Sequence, residues 1–473
     1  AQLQYVTIGG TKAGKVTHYQ LHAIQDSGGF ADMGTILAPF MTRPMSSGVY
    51  AIPNIECRTT SVVTNTTPIV AYRGAGRPEA TAAIERAMDL FALEIGKDAA
   101  EVRRMNLIPK FLEPHTTVVG QTYDVGDYET ALDKALDAAD YKALRAEQAK
   151  RRASGDAKQL GIGVSVYVEI TGGVGNGESA KVEVLEDGRA VVYTGTSPHG
   201  QGHDTAWSML VQEQTGIPMD RIELVWGDTD LVPVGTGTMG SRSLQQGGNA
   251  VFQVAGTLAE KAKSVAARLL EVSEADVVLD KDRGAFHVVG TPAVTKTWAD
   301  LAVAEKSTGG LLHDEVINVS GATFPFGAHI AVVEVDTETG RVKHLRQVAC
   351  DDAGKVLNPM LLDGQIHGGI AQGVAQALLE EVLYDADGNP TTSNLADYGF
   401  ISAAELPNVE VIHMETPTPV NAIGAKGIGE SGTIGSTPAI QSAVVDAVSH
   451  LGVKHIEMPC TAERVWRAIQ AAQ

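Results

Sequence analysis

In this 473-residue chain the first group with chemical potential is a carboxylate in a glycine-walled loop. Residues 421–441 read NAIGAKGIGESGTIGSTPAIQ, with Gly424, Gly427, Gly429, Gly432 and Gly435 around one base, Lys426, and one acid, Glu430. Glycine at that density permits strained backbone and close approach to a ligand. Thr437-Pro438 opening an apolar run predicts a helix start, whose first amides point at whatever lies in front of them. A carboxylate held there is a candidate proton acceptor beside a polar or anionic cofactor. The alternative is a flexible surface loop with an incidental Glu.

Four other segments share the form of a glycine-rich loop feeding a helix. They start at Arg73 (Gly74-Ala75-Gly76), Gly200 (Gln201-Gly202), Gly240 (Ser241-Arg242-Ser243) and Gly364 (Gln365, Gly369, Gln372). Free amides, hydroxyls and the amide side chains of Gln201, Gln245, Gln365 and Gln372 could together surround a large heterocyclic cofactor bearing phosphates. The alternative is five unrelated tight turns. No segment matches the P-loop pattern, and none places GxGxxG after a clear strand with an acid some 20 residues on, which disfavours nucleotide hydrolysis and an ordinary dinucleotide fold. The units have no fixed period, so they are not a repeat array.

The elements that must hold these loops follow from periodicity. Ile84, Met88, Phe91 and Ile95 form one apolar helix face behind the Arg73 loop, with Pro78 in its first turn. Asp98 and Glu101 suggest a capping box, and 127–155 reads as one or two surface helices. Residues 16–24 read as a strand entering a loop over 25–40, and 46–70 as strands and turns. Strands are expected at 161–170 and 179–195, the second turning at Asp187-Gly188, with a glycine-rich loop over 172–177 between them. Helices are expected at about 204–214, up to about 270, over 364–382 and 438–448, and from Thr461. A hairpin over 328–350 should turn near Gly340. The main domain boundary is placed at 157/158.

Composition narrows the partners. Lys plus Arg number 37 against 57 Asp plus Glu, a formal charge of -20, and so acidic a surface argues against nucleic acid. Cys57, Cys350 and Cys460 lie far apart with no metal-ligand spacing. No apolar run reaches the length of about 18 residues that a membrane-spanning helix requires. A chain beginning at Ala has been processed or trimmed; a cytoplasmic location is expected ahead of a periplasmic one.

Taken in order, AYRGAGRPEA, GQGHDT, GTGTMGSRS, GQIHGGIAQG, TSNLADYGF and GAKGIGES resemble the molybdopterin-binding large subunit of the xanthine dehydrogenase, aldehyde oxidase and carbon monoxide dehydrogenase family over nearly the whole chain. The resemblance implies an elongated two-domain α+β subunit of mixed sheets and helices, lacking the N-terminal portion. It implies molybdenum held by the pterin dithiolene, with no protein side chain as metal ligand, and a pterin tail that is a cytosine dinucleotide ahead of a bare phosphate. Partners implied are a chain or fragment supplying the missing portion and packing against residues 1–125, a 2Fe-2S subunit, and an FAD or cytochrome subunit.

By the same resemblance, Glu430 matches the family carboxylate that takes the proton from the molybdenum-bound hydroxyl as water-derived oxygen is delivered to an electron-poor carbon. Gln201 matches the glutamine that hydrogen-bonds an oxo group, and Arg73 with Gly74, Ala75 and Gly76 the loop over the metal. Gly200, Gly202, Ser241, Arg242, Ser243, Gln365, Gly369, Gln372, Lys426, Gly427 and Gly429 match positions lining the pterin and its tail. The implied activity is oxidation of an aldehyde or hydroxylation of an N-heterocyclic carbon, with electrons leaving through iron-sulfur centres. Alternatives are a non-catalytic structural or assembly subunit and a reductive acyl-thioester relative. Two departures bear on substrate. Copper-containing members carry a cysteine in the loop after Tyr-Arg where this chain has Gly74-Ala75-Gly76-Arg77, which disfavours carbon monoxide oxidation. Purine-oxidising members place a phenylalanine where this chain has Ala75, and losing that stacking surface leaves a roomier pocket.

Overall fold

The computed structural model describes residues 1–173, 177–319 and 321–472. The expected glycine-rich loop at 172–177 includes 174–176, which lie outside the described residues.

A four-stranded sheet carries the site. Its strands run in the order Val409–Met414, Val342–Asp352, Phe326–Asp336 and Lys158–Val168, antiparallel except for the first pair. Alternation along these strands sends each side chain to one of two cores. Ile162, Val164, Val166, Ala328, Ile330 and Val332 face the helices Arg77–Ile95 and Tyr128–Ala139, whereas Ala331, Val333 and Val335 face the helices Pro359–Leu378 and Ser431–Val448. The first core thus joins residues on both sides of position 157.

A second four-stranded sheet, ordered Leu311–Ile317, Glu178–Val184, Ala190–Thr194 and Ile222–Val225, packs with the amphipathic helix Asn249–Leu270 around Trp207, Phe286 and Trp298. A three-stranded sheet of Gln2–Gly10, Val16–Gly28 and Ile55–Val63 stands at the start of the chain. It leaves Leu3, Tyr5, Val62 and Val63 exposed, and Phe30 and Phe40 nearby are exposed as well. No helix among the described residues is long and apolar enough to cross a membrane.

Three expectations need correction. The 25–40 segment is not all loop, because it holds a short helix, Met33–Leu37, and a π-helical turn, Ala38–Thr42. The helix expected over 364–382 spans Pro359–Leu378, since Asn358 caps it by accepting from the Leu361 amide, so its glycines lie inside rather than before it. The helix expected to begin at Pro438 begins at Ser431 and carries that proline in its interior. The penalty for an interior proline is overridden by packing: the helix is buried from Ser431 through Val445 and lies on Gly161 and Gly163. A Cβ on either glycine would come within 1.9 Å of the carbonyl of Ala443 or Ala439.

Candidate active site

Three element ends converge. The Arg77–Ile95 and Ser431–Val448 helices both bring their N-termini to the place where the Lys158–Val168 strand runs out. Both helix dipoles therefore favour negative charge there, and Glu430 immediately precedes the second helix. One Glu430 oxygen, Oε1, accepts the Gly74 amide at 2.9 Å, while Oε2 accepts Arg77 Nη2 at 2.6 Å and Ser241 Oγ at 3.1 Å. Burial works against ionisation, but the Arg77 guanidinium, the Gly74 amide and the Ser241 hydroxyl outweigh it and hold the Glu430 carboxyl below the usual range. Glu430 is thus held ionised and in a fixed orientation.

A second carboxylate stands behind it. Glu169, one residue past the strand, has no side-chain exposure, whereas Glu430 keeps 14 %. Ser241 Oγ lies 2.8 Å from its Oε1, Ser431 Oγ donates to its Oε2, and Arg77 Nη2 is 3.6 Å away. Burial first, with the Glu430 charge adding to it, pushes Glu169 up to about 7 against the pull of Arg77.

The loops are held under strain. Among the described residues, four non-glycine positions have positive φ, and two of them, Ala75 at 47° and Ser241 at 53°, flank Glu430. Each such residue costs roughly 1–3 kcal/mol and persists where surrounding contacts impose it. The imposing contact at Ser241 is Gly427, where a Cβ would sit 1.8 Å from the Ser241 carbonyl oxygen.

Arg73 joins the Glu430 loop to the Pro359–Leu378 helix. Its Nε donates to the Gly429 carbonyl at 2.6 Å, Nη1 to Gln372 Oε1 at 2.9 Å, and Nη2 to the Gln365 carbonyl at 3.2 Å. Gln365 and Gln372 are two turns apart and share one face, so Arg73 lies along that face.

The remaining sequence-derived positions are more scattered. Gln201 accepts the His199 amide, and Gly202, before the helix His203–Thr215, packs on Leu361. Gly200 is at φ 98° with nothing near the position of a Cβ. Arg242 is buried against Glu178, and Ser243 donates to Thr238 Oγ1. Gly369 lies at the helix crossing, where a Cβ would be 3.0 Å from the Gly432 Cα. Lys426 has its ammonium paired with Asp352 and Thr416, both at 3.0 Å, below the Phe326 ring. Gly76 precedes the Arg77–Ile95 helix in a left-handed conformation.

Arg77 and Glu169 were not among the candidates drawn from sequence. Arg77 stands in the AYRGAGRPEA motif but reads as a helix-opening residue. For Glu169 the available signal was a lone acid closing the apolar run GIGVSVYVEI before Thr171-Gly172-Gly173.

Residues 134–407 match a molybdopterin cofactor-binding domain model, and residues 1–107 match a second model of the same description. The chain belongs to the molybdopterin-binding family of xanthine dehydrogenase, aldehyde oxidase and carbon monoxide dehydrogenase. Within that family it is 40% identical to the carbon monoxide dehydrogenase large chain of Hydrogenophaga pseudoflava, over 97% of this chain and 60% of that one. It superposes on a Cu,Mo-CO dehydrogenase with a TM-score of 0.92 at 35% identity, covering 100% of this chain and 62% of that one. For quinoline 2-oxidoreductase from Pseudomonas putida 86 the TM-score is 0.91 at 32% identity, with 99% and 62% covered. The chain thus spans about 60% of the length of the curated relatives it resembles. The mixed α/β molybdopterin-binding architecture is shared with these structures.

The residues present fit the family's cofactor. Among the described residues, the buried Gln245 Nε2, Gln246 Oε1 and Arg77 Nε have no hydrogen-bond partner, and Gln245 follows the Ser241–Ser243 loop closely. Buried polar atoms without partners are unusual and mark places where a polar group belongs. Gly427 and Gly429 supply the side-chain-free wall beside Ser241.

Proposed function

We propose that this chain is the molybdenum-bearing part of a hydroxylase that oxidises an aldehyde or hydroxylates an N-heterocyclic carbon, using oxygen from water. The observation that supports it best is the Glu430 carboxylate, ionised and aligned by Gly74, Arg77 and Ser241 where loops from residues 73–77, 240–243 and 427–430 meet. A general base must be ionised and directed at the proton it removes, and three donors leave this carboxylate one free acceptor position. When bound, the molybdenum pterin supplies the two-electron redox chemistry and activates the oxygen. Gly74–Gly76, Gly200–Gly202, Ser241, Ser243, Gln365, Gln372, Gly427 and Gly429 are the residues that would hold it.

The chain's own groups divide the remaining work. Arg73 ties the Glu430 loop to the Pro359–Leu378 helix and keeps the carboxylate from turning away. Arg77 keeps it charged. Ala75 carries a single methyl and offers no ring for a flat substrate to stack on. The Gly74-Ala75-Gly76 segment offers no thiolate, which favours carbon substrates over carbon monoxide.

Electrons leave to a 2Fe-2S partner, with an FAD or cytochrome subunit beyond it. The exposed apolar residues Leu3, Tyr5, Phe30, Phe40, Val62 and Val63 support further polypeptide packing against the first 125 residues, corresponding to the length that relatives have beyond this chain. The purified complex should contain molybdenum and a dithiolene pterin and should reduce dye acceptors with a panel of aldehydes and pyridines. An intact complex with no molybdenum and no pterin would overturn the proposal in favour of a structural subunit.

A further inference from the structure

The two buried carboxylates face a single hydroxyl hydrogen. Ser241 Oγ is 2.8 Å from Glu169 Oε1 and 3.1 Å from Glu430 Oε2, so it can donate to one of them at a time. Arg77 Nη2, at 2.6 Å, is committed to Glu430 and stands 3.6 Å from Glu169. With both acids ionised, either the Glu169–Ser241 or the Glu430–Ser241 contact would join two oxygens with no hydrogen between them. One proton on Glu169 resolves this, because Glu169 then donates to Ser241 and Ser241 donates to Glu430. This is the loaded form of the pair, and in the form ready to take up a proton both acids are ionised beside Arg77.

We propose that Glu169 is the proton store of the site, taking over through Ser241 the proton that Glu430 accepts and so returning Glu430 to its ionised form. The inference rests on Glu430 being the proton acceptor. In the transfer, the Glu430 O–H breaks as its proton goes to Ser241 Oγ, and the Ser241 O–H breaks as its proton goes to Glu169 Oε1. One O–H forms for each that breaks, so the charge of the pair is unchanged. The proton leaves by the reverse path when the site opens to water. Glu169 is a positioning and proton-holding residue, since it touches Glu430's partner and not the substrate.

The surroundings suit a store. Arg77 and Arg73 face Glu169 from the loop and helix at 73–77, Glu430 and Ser431 from the start of the Ser431–Val448 helix, and Tyr167 from its own strand, with Asp351 behind Tyr167 at 2.6 Å from its hydroxyl. Full burial raises the proton affinity of Glu169 into the neutral range while Glu430 stays ionised, so the two acids differ in the sense a relay needs.

The test uses the assembled, molybdenum-loaded complex. Infrared difference spectra against pH should show a carboxylic acid band that disappears as pH rises through neutrality and is missing in Glu169→Gln. The wild-type kcat should rise through the same pH range. In Glu169→Gln that rise should vanish and kcat should fall about tenfold to a hundredfold, with KM and molybdenum content unchanged. Ser431→Ala, which removes a donor to Glu169, should move both inflections to higher pH, and it serves as the test if Glu169→Gln fails to fold or load. A band that persists in Glu169→Gln, or an unaltered pH profile in either loaded variant, overturns the proposal. Full turnover in Glu430→Gln would instead remove the proton acceptor itself, while the infrared band still reports on Glu169.

Discussion

At the scale of residues, the site is a charge-balanced cluster in which Arg77 serves two carboxylates. Glu430→Gln keeps the shape and two of the hydrogen bonds but cannot accept a proton, so turnover should fall by about three or more orders of magnitude with molybdenum content near normal. Metal analysis beside dye-coupled kinetics checks both halves of that statement, and unchanged turnover in fully loaded enzyme would exclude the role. Arg77→Met should act on stability as well. It leaves two buried acids without their cation, a change expected to cost about 3–5 kcal/mol and to be visible as a lowered thermal unfolding midpoint. The mutant should also raise the proton affinity of Glu430, because Arg77 is the largest favourable influence on its charge.

At the scale of elements, glycine determines how closely the helices approach the sheet and each other. Gly163 lies under the Ser431–Val448 helix, where a Cβ would meet the Ala439 carbonyl at 1.9 Å. Gly163→Ala should therefore push the helix, and Glu430 at its start, away from the strand that carries Glu169, with a loss of about 1–3 kcal/mol or more. Gly364 provides the contrast. It is exposed inside the Pro359–Leu378 helix, has a helical backbone and has nothing within 4 Å of a Cβ, so Gly364→Ala should stabilise by about 1 kcal/mol. Unfolding midpoints of the two variants, moving in opposite directions, would separate packing from propensity.

At the scale of the whole molecule, acid sensitivity has an identifiable source. His344 is buried on the strand Val342–Asp352, and burial, despite hydrogen bonds with Gln347 and the Arg346 carbonyl, lowers it to about 4. A histidine that resists protonation in the fold, with an unfolded value of about 6.5, contributes stability that is present above that pH and is lost as pH falls through 6.5 towards 4. The loss amounts to roughly 3 kcal/mol from this group. His344→Gln should flatten the fall in stability over that window, and equal slopes in both proteins would show that other groups govern it. Glu169 works in the opposite sense. Its raised proton affinity adds stability that is present at low pH and lost as pH rises towards 7. The exposed apolar residues of the first sheet should bind a hydrophobic dye in the isolated chain, and the partner polypeptide should abolish that binding.

The chain's local patterns were sufficient for most of its elements, but not for the helices at Met33–Leu37, Pro359–Leu378 and Ser431–Val448. Ile84, Met88, Phe91 and Ile95 announced the helix behind the Arg73 loop, Asp187-Gly188 and Gly340 announced two hairpins, and six ordered motifs announced the family, because each signal lies within a few neighbouring residues. Distance along the chain hid the rest. Glu169 and Arg77 acquire meaning through Ser241 and Glu430, which are 72 and 353 residues away from them, and no local period connects such positions. The same holds for Pro438, whose helix-starting signal yielded to burial against Gly161 and Gly163, and for Lys426, whose charge the fold paired with Asp352. Propensity acts over one turn of helix, whereas proton affinity and packing depend on what the fold brings within a few ångströms, and that is settled only when the chain has closed on itself.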